Sequence, residues 1–557
     1  MKSRSASGSV RRTLARASRS LLAALIAASG AQLAVPSVAV AGPAVPVAAS
    51  DPDGFSQAAK VLSASGAAGD VFGWSVAIDG DTAVVSSHLD DDNGTDSGSA
   101  YVFVRDGAGW TQQAKLLASD GVQDDYFGAS VAIDGDTIAV GAQCDDDIAL
   151  NAGSAYIFTR SGTTWTEQAK VTVAGGLMHD RFGSSISLSG DTLLVGAEVA
   201  DDKGTDSGAS YVFTRSGTTW SQQAKLSSVD TTGGDSLGKG VCVEGDTAIV
   251  GAPYDDDRGS NSGSAYVFTR SGTTWSQQSK ITAGDGAASD YFGWRVGLSS
   301  GTAVVGAWGD NNAAGTDAGA AYAFTSNGTT WTQEAKLTAS DGAASDNFGS
   351  AVGVSGDAIV VGAHVDDDLG DGSGAAYVFT RSGTAWAQTR KLLAPDGAAG
   401  DDLGVSTAIS GGTVIAGARW DDDLGADAGS AYFFSSTYGT REDTPISVPA
   451  TAGVLVNDTD ADFDSLTATL VAGPAHGSVS LAADGSFTYT PTADWNGTDA
   501  FTYRASDGVN QSTSATVTIA VTPVADAPVA PDDPTAAGLM VKVSAEATNA
   551  GGWPTTG

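Results

Sequence analysis

A Phe-Gly or Leu-Gly pair recurs seven times along this chain: Phe72-Gly73, Phe127-Gly128, Phe182-Gly183, Leu237-Gly238, Phe292-Gly293, Phe348-Gly349 and Leu403-Gly404. Five of the six intervals are 55 residues and the other is 56. A fixed period of this size means stacked copies of one supersecondary unit, each burying a face it cannot bury alone. It also sorts the residues. Positions identical in every copy answer to packing, whereas positions that differ between copies are free for something else.

One copy reads from Gly128 to Val171. Ser130–Ile133 is a short strand, Asp134-Gly135 a tight turn, and Thr137–Ala142 a second strand. After a loop rich in Asp, Asn and Gly, Ser154–Thr159 forms a third strand, and Ser161-Gly162-Thr163 turns into a fourth at Trp165–Val171. Tyr156 and Phe158 alternate with Ala155 and Ile157, so the third strand is apolar on both faces and belongs between two neighbouring sheets. Four short antiparallel strands without a helix signal make one propeller blade. Six copies start the fourth strand with Trp110, Trp165, Trp220, Trp275, Trp331 or Trp386, and the seventh has Arg441 there. Ahead of the first copy, Phe55–Lys60 matches Trp110–Lys115. The expected fold is all-β: a seven-bladed β-propeller over 54–440, closed by its N-terminal strand so that no sheet edge stays open.

The Phe-Gly pairs, the following Gly-Ala pairs (Gly141-Ala142, Gly196-Ala197, Gly251-Ala252, Gly306-Ala307, Gly362-Ala363, Gly417-Ala418) and the Gly-Ser-Ala-Tyr-Val-Phe strand resemble the FG-GAP repeat. That repeat builds the integrin alpha-chain propeller and many secreted bacterial proteins. The family's Asp-x-Asp-x-Asp-Gly calcium loop is reduced here to turns such as Asp79-Gly80-Asp81, so calcium at that location is not carried over.

The period stops at Glu442. Val454–Asp458, Pro474–Val479, Phe487–Pro491, Trp495–Asp499 and Phe501–Tyr503 resemble the cadherin-like, immunoglobulin-like repeat of bacterial surface proteins. Alternation in Ser486–Thr490 and Ala500–Arg504 reads independently as strands of a small β-sandwich, giving a second domain over 441–522. Residues 523–557, rich in Pro, Ala and Gly, read as a disordered tail.

Residues 1–41 carry Lys2, Arg4, Arg11, Arg12, Arg16 and Arg19, then a small apolar stretch and Ala39-Val40-Ala41, the pattern of a cleaved signal peptide. Residues 42–53 read as a linker. Secretion or display at the cell surface follows, with no transmembrane segment. The net charge of −37 disfavours nucleic acid and favours cations. Cys144 and Cys242 fall at different repeat positions, so two free thiols are expected. No feature marks an oligomer, and a monomer is the expected state.

Three sets of carboxylates are candidate calcium ligands. The first follows the Gly-Ala pairs: Asp90, Asp91, Asp92 and Asp96; Asp145, Asp146 and Asp147; Asp255, Asp256 and Asp257; Asp366, Asp367 and Asp368; Asp421, Asp422, Asp423 and Asp427. Crowded carboxylates suit a hard cation with six to eight oxygens, but Asp also serves solvated turns. A second set, Asp70, Asp125, Asp180, Asp235, Asp290, Asp346 and Asp401, stands two residues before each pair; its constancy favours a turn-fixing hydrogen bond over a metal. The third is Asp458, Asp460, Asp462 and Asp464 in the second domain, an alternating run that suits one ion or a plain loop.

Residues that differ between copies after the Gly-Ala and Phe-Gly pairs are candidate ligand contacts: Trp74, His88, Lys239, Tyr254, Trp294, Trp308, His364, Arg419 and Trp420. Large aromatic groups at loop tips suit sugar rings or a protein partner, against the plainer possibility of loop variation. No Ser-His-Asp spacing, zinc cluster or phosphate loop is visible. The expectation is therefore a non-enzymatic binding or adhesion protein for an extracellular glycan or protein ligand, with possible calcium stabilisation. The alternative is a polysaccharide-degrading hydrolase or lyase on the same scaffold.

Overall fold

The computed structural model describes residues 55–522 except 107, 108, 437, 451, 452, 456, 457, 459–464 and 513. The expected signal peptide, linker residues 42–53 and tail 523–557 lie outside the described residues, as do Asp460, Asp462 and Asp464. No helix among the described residues is long and apolar enough to cross a membrane.

Seven four-stranded antiparallel sheets are arranged as the blades of a propeller. In the second blade Phe127–Asp134, Thr137–Ala142, Ser154–Ser161 and Thr164–Val171 pair in chain order. The seventh blade takes Leu403–Ser410, Thr413–Ala418 and Ser430–Ser436 from its own repeat and Phe55–Val61 as its outer strand. That outer strand runs antiparallel to Ser430–Ser436, with Phe55 opposite Ser436 and Val61 opposite Ala431.

The constant residues are explained by contacts between blades. A Cβ built on Gly141 would lie 2.0 Å from the Gly183 carbonyl oxygen, so the Gly-Ala glycine of one blade and the Phe-Gly glycine of the next must both lack side chains. The same approach brings Gly417 of the last repeat to Gly73 of the first, where a Cβ would meet the carbonyl at 1.9 Å. Each Phe beside these glycines is buried, and Phe127 meets the Tyr156 ring edge-on at 5.4 Å. Apolar clusters lie between neighbouring sheets: one joins Val84 and Val102 to Phe127 and Val140, and another joins Phe72 and Tyr101 to Ile415 and Phe433. The outer-strand Trp residues tie blades together, as with Trp165 Nε1, which donates to Gln113 Oε1 at 2.8 Å while the Arg160 guanidinium covers its ring. Cys144 and Cys242 are free thiols.

The second domain packs one sheet of Tyr438–Arg441, Ala515–Thr522, Gly497–Ser506 and Thr467–Ala472 with another of Ile446–Val448, Phe487–Pro491 and Gly477–Leu481. Phe487, Tyr489, Phe501, Val517 and Ile519 fill its core. Its sheet begins at Tyr438, ahead of the boundary drawn at 441, because Tyr438–Arg441 pairs in parallel with Ala515–Thr522.

Candidate functional site

The acidic loops do not gather their carboxylates around one point. In the first blade the buried Asp90 Oδ2 accepts from Tyr101 at 2.8 Å, Ser99 at 3.0 Å and Lys115 Nζ at 2.8 Å. Asp92 pairs with the same Lys115 at 2.6 Å, while Asp91 turns away to cap the Asp96 backbone N–H at 2.9 Å. The division of labour repeats. Lys170 holds Asp145 and Asp147, Lys280 holds Asp255 and Asp257, and Lys391 holds Asp366 and Asp368. Lys60, on the N-terminal strand, holds Asp421 and Asp423 of the seventh blade. The middle carboxylates Asp146, Asp256, Asp367 and Asp422 accept from the backbone N–H groups of Asn151, Asn261, Gly372 and Asp427. A lysine ammonium thus occupies the place that the calcium reading gives to a metal, so this donor set fits an ammonium better than an added dication. These pairs raise the lysine pKa values against the opposing effect of burial, as at Lys170 and Lys280.

The Asp before each Phe-Gly pair fixes a turn, as expected. Asp125 Oδ2 accepts from Val122 N–H at 2.7 Å, and Asp70, Asp180, Asp235, Asp290, Asp346 and Asp401 make the same bond three residues back. In the second domain Asp458 accepts from the Tyr503 hydroxyl at 2.8 Å. Among the described residues, no three His, Cys, Asp or Glu side chains form a group suited to a metal ion.

The variable positions behave differently. Residues following the Phe-Gly pairs, from all seven blades, line one central cavity of about 180 Å³. Beside it the structure gathers most of the expected ligand contacts into two patches. In the first, the Trp74 and His88 rings meet at 4.1 Å between centroids, tilted by 39°, and the Arg419 guanidinium lies over Trp74 at 5.2 Å and Trp420 at 4.3 Å. Arg419 also pairs with the buried Asp402 at 2.8 Å. Burial, helped by the Arg419 charge, drives the His88 pKa down to about 3, so its ring is neutral at any physiological pH.

In the second patch Lys239 pairs with Glu198 at 2.7 Å and covers the Trp294 ring at 4.7 Å. Trp308 stands edge-on to Trp294 at 5.7 Å and stacks on Tyr291 at 4.7 Å, and Tyr254 closes the group against Tyr291 at 5.6 Å. Arg181 approaches Glu198 at 3.8 Å. Burial lowers the Lys239 pKa and Glu198 resists that shift. His364 Nδ1 hydrogen-bonds Ser350 at 3.0 Å within the sixth blade.

Tyr126, Arg181, Tyr291 and Asp402 were not expected. All four stand immediately before a Phe or Leu of the repeated pair, a third position at which the copies differ: Val71, Tyr126, Arg181, Ser236, Tyr291, Asn347, Asp402. All seven take the left-handed backbone, with φ between 53 and 60°. This region costs an L-residue about 1–2 kcal/mol, most for a β-branched one such as Val71. The strain recurs in every blade while the residue changes, and the position ranges from the buried Val71, Ser236 and Asp402 to the exposed Arg181.

The comparisons agree with this architecture. A model of the FG-GAP repeat matches residues 55–103, 110–158, 165–213, 220–268, 275–324, 331–379 and 386–434, more than half of the chain. A model of the bacterial cadherin-like domain matches 433–523. No curated protein matches the chain. Among solved structures, the extracellular domain of a hybrid two-component system from B. thetaiotaomicron is 10% identical over 81% of this chain and 52% of its own, at a TM-score of 0.38. The chain thus spans about half the length of that relative. The β-propeller domain of the Trilobed protease from Pyrococcus furiosus is 8% identical over 62% and 88%, at 0.35. An exo-β-1,3-galactanase from Phanerochaete chrysosporium is 10% identical over 69% and 77%, at 0.26. Likenesses this remote say nothing of function. The seven matched repeats, their Phe-Gly and Gly-Ala contacts and the blades they build make this chain a member of the FG-GAP repeat family, followed by a bacterial cadherin-like domain.

Proposed function

We propose that the protein is an exported, non-enzymatic binding protein whose propeller holds an extracellular glycan at the mouth of its central channel, with the cadherin-like domain as a spacer. The gathering of residues that differ between copies into two aromatic and cationic patches carries this reading. Aromatic faces pack against sugar rings, and the cations beside them suit hydroxyl or acidic groups. The two carboxylates named in the patches, Glu198 and Asp402, are both held in ion pairs, which favours binding over acid–base hydrolysis.

A panel of neutral and acidic glycans, scored for capture and for released products, tests the proposal. The repeat itself supplies substitutions that fold: Trp74→Ala copies Ala129, and Trp294→Ser copies Ser184. Each should weaken capture by tenfold or more, the usual cost of losing an aromatic anchor. Capture unchanged in both variants would remove the ligand from these patches. Product release would make the protein an enzyme.

A further inference from the structure

We infer that the central channel is an oxyanion site centred on Arg295, taking one sulfate-, phosphate- or carboxylate-sized group. Three residues after the Phe or Leu, the copies place Ser75, Ser130, Ser185, Gly240, Arg295, Ala351 and Ser406. Six are small and neutral; one is a guanidinium. Arg295 is the only charged residue among the described residues that line the cavity.

Its needs are unmet. Arg295 Nη1 donates to two backbone carbonyls, Lys239 at 3.4 Å and Trp294 at 3.2 Å, both long for a charged donor; the guanidinium lies 5.9 Å from the Trp294 ring, and no carboxylate among the described residues pairs with it. The nearest named countercharge, Glu198, is already committed to Lys239. The side chain is enclosed by protein yet keeps accessible surface, as a group lining a cavity does. Burial pulls its pKa down, opposed only by the Glu198 charge. A buried cation without an anion is costly, and the planar fork of Arg matches oxyanions in two-point geometry.

The cavity wall supplies a second, independent sign. Thr407 lines the same channel and is 8% exposed, and its buried Oγ1 has no hydrogen-bond partner among the described residues. Ser75 Oγ, also on the wall, accepts from Val131 N–H, a bond that leaves its own hydrogen unused. About 180 Å³ is too small for a sugar chain and ample for one acid group with a few waters. With Arg181, Lys239 and Arg295 set against Glu198, the surroundings carry a net positive charge inside a protein of net charge −37. The channel therefore selects anions that its exterior repels.

The site does not depend on the glycan proposal, and the two fail separately. Full-length protein and Arg295→Ser, which copies the serines of four other blades, are titrated calorimetrically with sulfate, phosphate and glucuronate, with glucose as the neutral control. Expected is one saturable site per chain in the parent protein, lost in Arg295→Ser, with a melting temperature that rises about 3 °C at a hundredfold excess over Kd. Binding of the inorganic ions assigns a free ion to the channel; binding of glucuronate alone assigns an acid group carried by a ligand. Equal binding in the variant overturns the proposal. So does an absence of binding by all three anions.

Discussion

Replacing Lys280 with Met keeps the side-chain stem beside the Tyr266 ring but removes the charge that three carboxylates share. Asp255 is 3% exposed by side chain and lies 2.8 Å from Lys280 Nζ; Asp257 and Asp230 are 57% and 43% exposed, at 2.6 and 3.1 Å. The exposed pairs contribute little, about 0–1 kcal/mol each. The buried pair dominates, since removing the cation leaves the Asp255 carboxylate with neutral donors, the hydroxyls of Tyr266 and Ser264 and the Asp257 backbone N–H. That loss is worth about 2–4 kcal/mol. A propeller of roughly 380 residues unfolding as one unit has an entropy near 0.8 kcal/mol/K, so the melting temperature should fall by about 2.5–5 °C. Calcium then separates the two readings of the acidic loops. With an ammonium in place, the parent melts alike in calcium and in chelator. Lys280→Met leaves three unneutralised carboxylates, and calcium should recover part of its loss. A parent that falls with chelator as far as the variant would refute the assignment of the cation's place to lysine.

Three further outcomes follow from the same contacts. Burial, then the Asp145 and Asp146 charges, raise the Asp125 pKa from 3.8 to about 6 despite the Val122 N–H. The folded state thus holds a proton that the unfolded chain has lost, and this group subtracts stability as pH rises from about 4 to 6. Asp125→Asn keeps the turn's acceptor, so its gain over the parent should be near zero at pH 4 and about 2 kcal/mol at pH 7 in denaturant melts; an equal gain at both would contradict the shift. Gly141→Ala forces a methyl to 2.0 Å from the Gly183 oxygen and should cost about 3 kcal/mol, whereas Gly135→Ala, in open space at φ +55°, should cost about 1 kcal/mol; equal melting temperatures would count against the blade contact. Glu198→Gln strands Lys239 beside Arg181 and Arg295, and should lower stability by about 2–3 kcal/mol with partial recovery in added sulfate.

Much of the propeller was legible in the sequence because its signature residues answer to backbone distance. Gly183 and Gly141 pass so closely that a Cβ on either would collide, and that constraint leaves the Phe-Gly glycine in all seven copies and the Gly-Ala glycine in six, with Ser86 in the first. The turn-fixing Asp residues were legible for the same reason. The partners of the acidic loops were not. Lys115 lies 23 residues beyond Asp92, and Lys60 lies more than 300 residues before Asp421, so proximity in sequence gave no cue. A cue existed in the register. Lys60, Lys115, Lys170, Lys225, Lys280, Lys336 and Lys391 hold one position in successive outer strands, more constant than the acids they meet. A charge that recurs in every copy implies an opposite charge that also recurs, whereas a metal site would leave the repeated lysine unexplained. The third blade bears this out: Ala200 replaces the first Asp, and Lys225 keeps its pair with Asp202 at 2.6 Å.

The same logic read in reverse supports the proposed site. A repeat protein holds seven equivalent places for every side chain, and the scaffold is satisfied by whatever six of them share. Arg295 stands where serine, glycine or alanine suffices in every other blade, and it brings into the channel a charge that packing does not require. Tyr126, Tyr291 and Asp402 bear backbone strain that the fold imposes at that position whatever the residue, so their side chains are chosen for something else. Selection acting only on blade packing would have made these positions uniform, as it did the glycines one and two residues away. Their divergence is what the proposed ligand would require, one that breaks the sevenfold equivalence of the ring and makes its own contacts with particular blades.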